Sequence, residues 1–339
     1  KSNSIFYLWI NKIYKYIRYL MLKLKALLLT QGMHGMISQT EGLAKALNLS
    51  FSHHTVKLKG LWNFIPPKFT PVSENLLTEK FVFDSRVIIS CGRKSVVPSI
   101  ALKKRYKNQV FNIHIQDPKV LPSNFDTIVC PEHDDLNGPN IINTRGSIHY
   151  LTLDEIKKNL GYLKIDKENK KIVSFILGGP NKYYNFSDAN VDKMFSRIKI
   201  LFTPDKYKLI VIPSYRTPEE VIKKANNTFS HNHVVIKKID KKAYLSSLGL
   251  ADIIVVTCDS TSMISEAAIT SKPIYIANMK AKRNNYRFRN FYSQFKEMKI
   301  IKDLDTFQDG IDLWTYNKLD ETQRIVPLIK ERMKKNGII

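Results

Sequence analysis

Residues 257–273 read TCDSTSMISEAAITSKP, and this stretch decides the fold. The apolar run IIVV at 253–256 precedes it, and a second apolar run, PIYI at 273–276, overlaps its end. Small hydroxyl and acidic residues separate the first run from a helix-like segment, so the pattern predicts strand, polar turn, helix and strand. Asp259 or Ser260 can cap the predicted helix, because their side chains accept hydrogen bonds from first-turn amides that lack partners.

The start of this predicted helix is also suited to binding an anion. Its unpaired amides and the positive end of the helix dipole attract phosphate. Ser262 and Glu266 are four residues apart and share one helical face, where a carboxylate can accept hydrogen bonds from sugar hydroxyls. Together these groups predict a nucleotide-sugar site. The alternative is a well-capped helix with an exposed glutamate.

Length and composition indicate two globular domains. The chain has 339 residues, of which 43% are apolar, enough for two cores. Cys91, Cys130 and Cys258 are far apart and form no CxxC pair, so neither a disulfide framework nor a zinc site is expected, and a reducing cytoplasm fits best. The histidine pairs lack further convergent ligands, so we expect no metal and no resident cofactor.

The charge of the chain limits its partners. The formal net charge is +24, which raises nucleic acid, anionic membrane surfaces and phosphorylated substrates as partner classes. The cations are spread along the chain without an arginine-rich block, and compositional bias toward Lys, Asn and Ile explains most of them. No nucleic-acid fold signature accompanies them, so no nucleic acid is expected as partner. Anionic lipid and nucleotide diphosphates remain.

Residues 1–22 are predicted to form an amphipathic helix. The segment 5–22, IFYLWINKIYKYIRYLML, places apolar residues on one helical stripe and Lys12, Lys15 and Arg18 on another. This is typical of a basic helix lying in a bilayer interface. Two alternatives are a helix packed on the protein's own body and a native start at Met21. No apolar run is long enough to span a membrane.

Strand-like and helix-like segments alternate twice along the rest of the chain. Strands are predicted at Lys25–Thr30, 86–90, 110–115 and 126–130, and then at Lys171–Leu177, Tyr207–Pro213 and 233–237. Such alternation predicts parallel sheets covered on both faces by helices. The polar stretch 166–171 marks the reset between the two series. The predicted limits are an N-terminal helix at 1–22, domains at 23–168 and 169–305, and a helical tail at 306–339.

Motifs cluster where the predicted strands end, which is where open parallel sheets bind ligands. In chain order, they resemble those of the mitochondrial-fission (elongated mitochondria) family, a group assigned as glycosyltransferases in bacteria and plants. The resemblance covers roughly residues 25–275. The matching residues are Gly32, Gly35 and Gln39; Gly92 and Arg93; Gln116, Asp117 and Pro118; Pro131, His133 and Asp134; Gly178, Gly179 and Pro180; Ser214, Arg216, Thr217 and Pro218; and Asp259, Ser260, Ser262, Met263, Glu266 and Ala267.

The resemblance implies a GT-B-like α/β fold, with two Rossmann-like domains whose parallel sheets face each other across a cleft. It implies that Glu266 binds ribose and that the amides around Ser260 and Ser262 hold a diphosphate. The implied donor-binding set is Gly178, Gly179, Ser214, Arg216, Asp259, Ser260, Ser262, Met263 and Glu266. The implied acceptor or phosphate loop is Gly32, Gly35, Gln39, Gly92 and Arg93. One departure is Ser271, where such enzymes often carry a helix-terminating glycine.

The residue types also suggest catalytic roles. Arg216, and secondly Arg93, can neutralise a leaving diphosphate because guanidinium matches phosphate geometry; the alternative is an ordinary ion pair. The candidate general bases are His34, Asp117 and His133. The alternatives are that His133 and Asp134 form a capped turn and that Asp117-Pro118 is a rigid strand exit. Gly92-Arg93-Lys94-Ser95 lacks the spacing of a nucleotide-hydrolysing loop, and no G-x-G-x-x-G follows the first strand.

The sequence therefore predicts a metal-independent glycosyltransferase. It would move a sugar from a nucleoside-diphosphate donor to a lipid-linked or cell-envelope acceptor, at the inner face of the cytoplasmic membrane. The alternative is a catalytically inactive adaptor of the same fold that recruits a protein partner to a membrane surface, as members of the resembling family do with a dynamin-like protein in plants. Fold alone does not decide between them.

Overall fold

A computed structural model describes residues 24–79, 83–284, 286–307 and 311–339 of the chain. The amphipathic helix predicted at 1–22 lies outside the described residues. Among the described helices, none combines the length and apolar character needed to cross a bilayer.

The described elements alternate strongly between strand and helix. The strands are β1 (Lys25–Thr30), β2 (Ser50–Thr55), β3 (Val87–Cys91), β4 (Phe111–Ile115), β5 (Thr127–Pro131), β6 (Ile141–Thr144), β7 (Lys171–Leu177), β8 (Tyr207–Pro213), β9 (Val234–Val235), β10 (Ile253–Thr257), β11 (Ile274–Ala277) and β12 (Ile301–Asp303). The α-helices are α1 (His34–Ala46), α2 (Val96–Tyr106), α3 (Leu153–Lys158), α4 (Asp188–Leu201), α5 (Glu219–Phe229), α6 (Lys241–Leu250), α7 (Thr261–Ala267), α8 (Tyr286–Glu297) and α9 (Glu321–Lys335). Short 3-10 turns connect several of them.

The chain divides into two compact units, each built on one sheet. Of the described residues, unit 1 comprises 24–79, 83–130, 136–142 and 325–339, and its sheet has the strand order β2-β1-β3-β4-β5-β6. β1 pairs in parallel with β2 and β3, and β4 pairs in parallel with β3 and β5. β3, β4 and β5 are buried along their whole length, as expected for strands covered on both faces.

Of the described residues, unit 2 comprises 131–135, 143–284, 286–307 and 311–324, and its sheet has the strand order β12-β11-β10-β7-β8-β9. All of its strand pairs are parallel. One face is packed by a cluster that includes Phe175, Phe195 and Phe229, and the other by a cluster that includes Phe291 and Phe295. The predicted α/β class with two parallel sheets is confirmed.

The limits of the units differ from the predicted ones. Residues 143–168 were expected in the N-terminal domain but belong to unit 2, because this segment packs on α6. The Ser246 hydroxyl donates to the Leu160 carbonyl at 3.0 Å, and the Leu163 amide donates to Ser246 Oγ at 3.1 Å. The polar stretch at 166–171 therefore precedes a strand without separating domains.

The predicted C-terminal tail is also divided between the units. α9 begins in unit 2, and from Ile325 onward the chain belongs to unit 1. Arg332 holds it there by donating to the Asn140 carbonyl at 2.7 Å and the Ile141 carbonyl at 3.3 Å. The C-terminal part of α9 therefore packs against the end of the sheet of unit 1. The charged sequence of this helix did not indicate that contact.

Ser271 occupies a backbone position that favours glycine. It follows the 3-10 turn after α7 with φ of +58°, in the left-handed region. The next residue, Lys272, donates to the carbonyls of Leu248 and Gly249 at 2.8 and 2.7 Å and so caps the end of α6. Burial lowers the pKa of Lys272 to about 8. Serine in place of glycine at position 271 therefore strains the backbone, but the cap that Lys272 forms on α6 is kept.

Candidate functional site

The sheet of unit 2 reverses its direction of growth between β7 and β10. From β7 the chain adds β8 and β9 on one side, then returns to add β10, β11 and β12 on the other. In open α/β sheets, ligands bind outside the carboxyl ends of the strands at such a switch point. The segments that leave these ends are Gly178-Gly179 after β7 and Cys258–Ser260 after β10. Of these residues, Gly178, Gly179, Asp259 and Ser260 were predicted to bind the donor.

Asp259 connects the loops at this switch point. It is buried and accepts hydrogen bonds from the Gly179 amide at 3.1 Å and from the Thr257 hydroxyl at 2.6 Å. It also forms an ion pair with Arg216 Nη2 at 2.6 Å. Arg216 Nη1 donates to the Gly179 carbonyl at 2.7 Å. The loops after β7, β8 and β10 are therefore fastened to one another.

This network changes the interpretation of two predicted donor-binding residues. The carboxylate of Asp259 is occupied on both oxygens, and both terminal nitrogens of Arg216 bind protein oxygens. The ion pair that was weighed as the alternative for Arg216 is the arrangement in the structure. Both residues hold the loops of the site in place, because the charge of each is already paired with the other.

Gly178 and Gly179 allow the loops to approach this closely. A Cβ added at Gly178 would lie 2.2 Å from the Asp259 carboxylate oxygens, and one at Gly179 would lie 1.8 Å from the Arg216 carbonyl oxygen. The requirement is for space, because neither glycine has a positive φ. Their backbone groups serve the protein itself: the amides donate to Thr257 Oγ1 and to Asp259, and the carbonyls accept from Thr217 and Arg216.

Other groups complete the network. Ser260 caps α7 by accepting from the Met263 amide at 3.3 Å, as the sequence predicted. Ser214 takes part in a turn in which the Thr217 hydroxyl is 3.2 Å from its own. Thr217 and Asn181 were not assigned a role from sequence. Thr217 donates to the carbonyls of Leu177 and Gly178, and Asn181 Nδ2 donates to the Asp259 carbonyl at 3.1 Å. The position of Asn181 just after Gly178-Gly179-Pro180 was the available signal.

Glu266 lies on α7 and is half-buried. The Tyr244 hydroxyl, from α6, donates to Glu266 Oε2 at 2.8 Å. Burial and the neighbouring Glu266 charge raise the pKa of Tyr244 well above its ordinary value, so it remains a donor. Ser262 and Met263 are also partly exposed on this helix. Tyr244 was not predicted, since one tyrosine in an apolar helix carries no sequence signal.

A group of exposed cations lies beside the switch point. Tyr184 and Ala281 form an antiparallel bridge, and the Lys282 amide donates to the Tyr183 carbonyl at 2.7 Å. This joins the segment after Gly179 to the segment after β11. The basic rim that results consists of Lys182, Lys280, Lys282 and Arg283, which are exposed and have no ion-pair partner within the described ranges.

The sheet of unit 1 has its own switch point, between β1 and β3. Gly32 and Gly92 follow these strands and have φ of +80° and +93°, values that residues with a side chain rarely adopt. A Cβ at Gly92 would also lie 2.4 Å from Gln31 Nε2. Gly35 has open space around it. The predicted glycine cluster is therefore brought together at one edge of this sheet.

Two residues predicted for the acceptor or phosphate loop bind the protein's own backbone instead. Gln39 is buried, and its Nε2 donates to the Gly35 carbonyl at 3.1 Å. Arg93 donates to the carbonyls of Asn63, Phe64 and Ile65 in the loop after β2. The guanidinium therefore holds a loop, which is a structural use that its sequence context did not reveal.

The three candidate bases are in different environments. His34 is exposed at the first position of α1. Asp117 accepts from the amide of Lys119 at 2.8 Å and from its ammonium group, so its carboxylate closes a turn at the end of β4. His133 is buried, with both ring nitrogens lacking hydrogen bonds, and it packs edge-on against Phe291. Burial lowers the pKa of His133 to about 3, so the structure does not support it as a reachable base.

We expect acid to destabilise the protein through its buried histidines. Burial lowers the folded-state pKa of His114 and of His133 to about 3, against the usual 6.5. Below that usual value the unfolded chain binds more protons, so stability present above pH ~6.5 is lost as the pH falls toward the folded-state pKa. Each histidine should cost about 2 kcal/mol at pH 5. Urea unfolding followed across this pH range measures the effect.

Two variants make this prediction specific. His133→Phe preserves ring packing but removes the titration, so the stability lost on acidification should shrink by the amount assigned to one histidine. His231→Gln changes an exposed histidine and should leave the acid dependence as it is. An equal acid dependence in His133→Phe and the parent protein would contradict the assignment.

Comparison with known proteins was consistent with the resemblance noted from the motifs. The family model described as mitochondrial fission ELM1 matches residues 34–333. A relative in Arabidopsis thaliana, mitochondrial fission protein ELM1, is 22% identical over 280 residues. The match covers 74% of this chain and 64% of the plant protein, so the chain spans less than two thirds of that relative.

Solved structures resemble the fold. The glycotransferase of kitacinnamycin superposes with a TM-score of 0.51 at 10% identity, covering 93% of this chain and 94% of the other. The Staphylococcus aureus MnaA-UDP co-structure superposes with a TM-score of 0.50 at 14% identity, covering 94% and 98%. At such identities the likeness concerns architecture, and it confirms the GT-B-like class of two Rossmann-like sheets.

Proposed function

The chain belongs to the mitochondrial fission ELM1 family, and from this premise we propose that it binds a nucleoside-diphosphate sugar at the switch point of unit 2 and transfers the sugar to an acceptor hydroxyl. The proposed acceptor is a lipid-linked or cell-envelope glycan at the cytoplasmic face of a membrane. The fold suits this chemistry, and one structural neighbour was solved with UDP.

One observation carries the proposal. Three loops converge at the point where a parallel sheet reverses its growth, and they are fixed there by the pair of Asp259 and Arg216. The fixed arrangement uses the backbone groups of Gly178 and Gly179 to hold the loops together. Such preorganised loops favour binding of a ligand beside them, because the ordering cost has been met before the ligand arrives.

We assign the ligand's parts to different groups. Glu266, oriented by the Tyr244 hydroxyl, accepts hydrogen bonds from the ribose. The exposed basic rim of Lys182, Lys280, Lys282 and Arg283 faces the diphosphate. α7 has only seven residues, so we place less weight on its dipole than the sequence suggested. The rim supplies positive charge for the diphosphate, because the charge of Arg216 is already paired with Asp259.

The transfer step needs a leaving group and a base. The bond between the sugar's anomeric carbon and the diphosphate oxygen breaks, and its electron pair remains on the diphosphate. The acceptor oxygen forms the new bond to that carbon and loses its proton. The base that takes this proton stays a prediction: of the three candidates, His34 has an exposed imidazole, and it lies in unit 1.

Calorimetry with UDP, GDP, ADP and CMP tests the donor site. We expect at least one nucleotide to bind, and Glu266→Ala to weaken it by about 1–3 kcal/mol, the cost of losing one partner of a polar ligand group. Tyr244→Phe should weaken binding less, because it removes only the group that orients Glu266.

Glu220→Ala is the matched control, since Glu220 is an exposed glutamate on α5 and lies in the same unit. Glu220→Ala should bind nucleotide with the same affinity as the parent protein. Folded protein that binds none of the four nucleotides would remove the donor site. Equal affinities in Glu266→Ala and the parent protein would remove the ribose role while leaving the site.

A binding-only function is the second candidate. Asp117 is closed into a turn and His133 is buried, so two of the three predicted bases have structural roles. A family member that kept the fold and lost turnover would fit these observations and serve as an adaptor at a membrane surface. Nucleotide binding with no release of sugar from any bound nucleotide sugar, across candidate acceptors, would favour this function.

A further inference from the structure

The loop after β2 exposes large apolar side chains in unit 1. Leu61, Phe64 and Phe69 are 76%, 79% and 69% exposed, and Val72 is 41% exposed. Isolated exposed apolar residues are common, but a cluster of this kind within twelve residues marks an interaction surface. We call residues 60–72 the apolar loop.

The charged residues of the apolar loop and of the three residues before it have one sign. Residues 57–72 contain three lysines and no aspartate or glutamate. Lys59 and Lys68 are exposed and have no ion pair among the described residues, and Lys68 lies over the Phe69 ring at 5.7 Å. Exposed aromatic and aliphatic side chains between lysines are typical of segments that bind an anionic bilayer interface.

Much of the backbone of the apolar loop is hydrogen-bonded within the protein. Arg93 takes the carbonyls of Asn63, Phe64 and Ile65, while the amides of Phe69 and Thr70 take the carbonyls of Pro66 and Pro67. Pro66, Pro67 and Pro71 have no amide hydrogen to satisfy. A protein partner could supply missing hydrogen bonds, but hydrocarbon cannot. This internal pairing therefore favours lipid as the occupant.

We propose that the apolar loop inserts into the surface of an anionic membrane. Leu61, Phe64 and Phe69 enter the boundary between headgroups and acyl chains, Lys59 and Lys68 meet anionic headgroups, and Arg93 keeps the inserted backbone paired. This deepens the proposed function, since a protein acting on a lipid-linked acceptor must reach the bilayer. The insertion itself depends only on the surface of unit 1.

Vesicle flotation of the full chain tests the insertion. We expect binding to vesicles of phosphatidylcholine mixed with phosphatidylglycerol, and weaker binding to phosphatidylcholine alone. Phe64→Ser/Phe69→Ser should lower the partition coefficient by about a hundred-fold, because each buried aromatic side chain contributes about ten-fold or more. Lys59→Gln/Lys68→Gln should lower it about five-fold per lysine on the anionic vesicles.

The control is Ile200→Ser/Leu313→Ser, which removes comparably exposed apolar side chains in unit 2 and should leave partition unchanged. Nucleotide affinity measured on the same preparations separates the two proposals, because the loop variants should bind nucleotide as the parent protein does.

Three results would overturn the insertion. The first is equal flotation of Phe64→Ser/Phe69→Ser and the parent protein. This would assign any membrane binding to another segment, such as residues 5–22. The second is no flotation of the parent protein. The third is a parent protein that is dimeric without vesicles while the double variant is monomeric, which would assign the loop to a second copy of the chain.

Discussion

Gly179→Ala is expected to lower the free energy of unfolding by more than about 3 kcal/mol and to abolish nucleotide binding. The new methyl group would lie 1.8 Å from the carbonyl oxygen of Arg216 and 2.6 Å from its Cβ. The carbonyl belongs to the backbone, so no side-chain rotation relieves the clash. The loop after β8 would have to move, which would break the contacts of Arg216 with Gly179 and Asp259. Urea unfolding and calorimetry measure the two effects.

Gly161→Ala is the matched control for this clash. Gly161 lies in the same unit, its φ is not positive and an added Cβ would meet nothing within 4 Å. The substitution should change stability by less than about 1 kcal/mol, through the unfolded state alone. If Gly179→Ala were as stable as Gly161→Ala, the close approach of the loops would not exist in solution.

Asp259→Ala is expected to destabilise the protein by about 3–5 kcal/mol. It would leave the partly buried guanidinium of Arg216 without its counter-charge and the Gly179 amide without its acceptor. The cost of an unpaired buried charge exceeds the net contribution of the pair. The double variant Asp259→Ala/Arg216→Met should therefore be more stable than Asp259→Ala, because it removes the orphaned charge as well.

The matched control for this prediction is Asp188→Ala. Asp188 pairs with Lys224 at 3.2 Å, but its side chain is 92% exposed, so water screens the pair. Its loss should cost less than about 1 kcal/mol. A double variant no more stable than Asp259→Ala would show that the buried charge is not the source of the cost.

Local sequence patterns predicted the long central strands well. β1, β7 and β8 have the predicted limits, because each is a mostly apolar segment that ends at polar or turn residues. β9 shrinks from the predicted 233–237 to Val234–Val235, because only these two residues pair with β8. β2 was missed because its sequence, SFSHHT, is polar and its strand character comes from pairing with β1.

The sequence predicted the location of the candidate site more accurately than the contacts that its residues make. Glycines and polar residues after parallel strands predicted the switch points, and the structure brings them together there. Whether an aspartate or arginine binds a ligand or another loop depends on distant residues. Asp259 and Arg216 are 43 positions apart and bind each other. Gln39 and Arg93 likewise bind backbone, and no spacing rule distinguishes these uses from ligand binding.

The closed pair of Asp259 and Arg216 has a practical consequence for finding the ligand. Loop shape depends on a partly buried pair that dissolved ions weaken little, whereas attraction of a diphosphate depends on exposed lysines that counter-ions shield over about 10 Å in ordinary buffers. A concentrated precipitant would thus leave the loops intact while suppressing occupancy. Screening in dilute, phosphate-free solution gives a weakly held nucleotide its best opportunity to be seen.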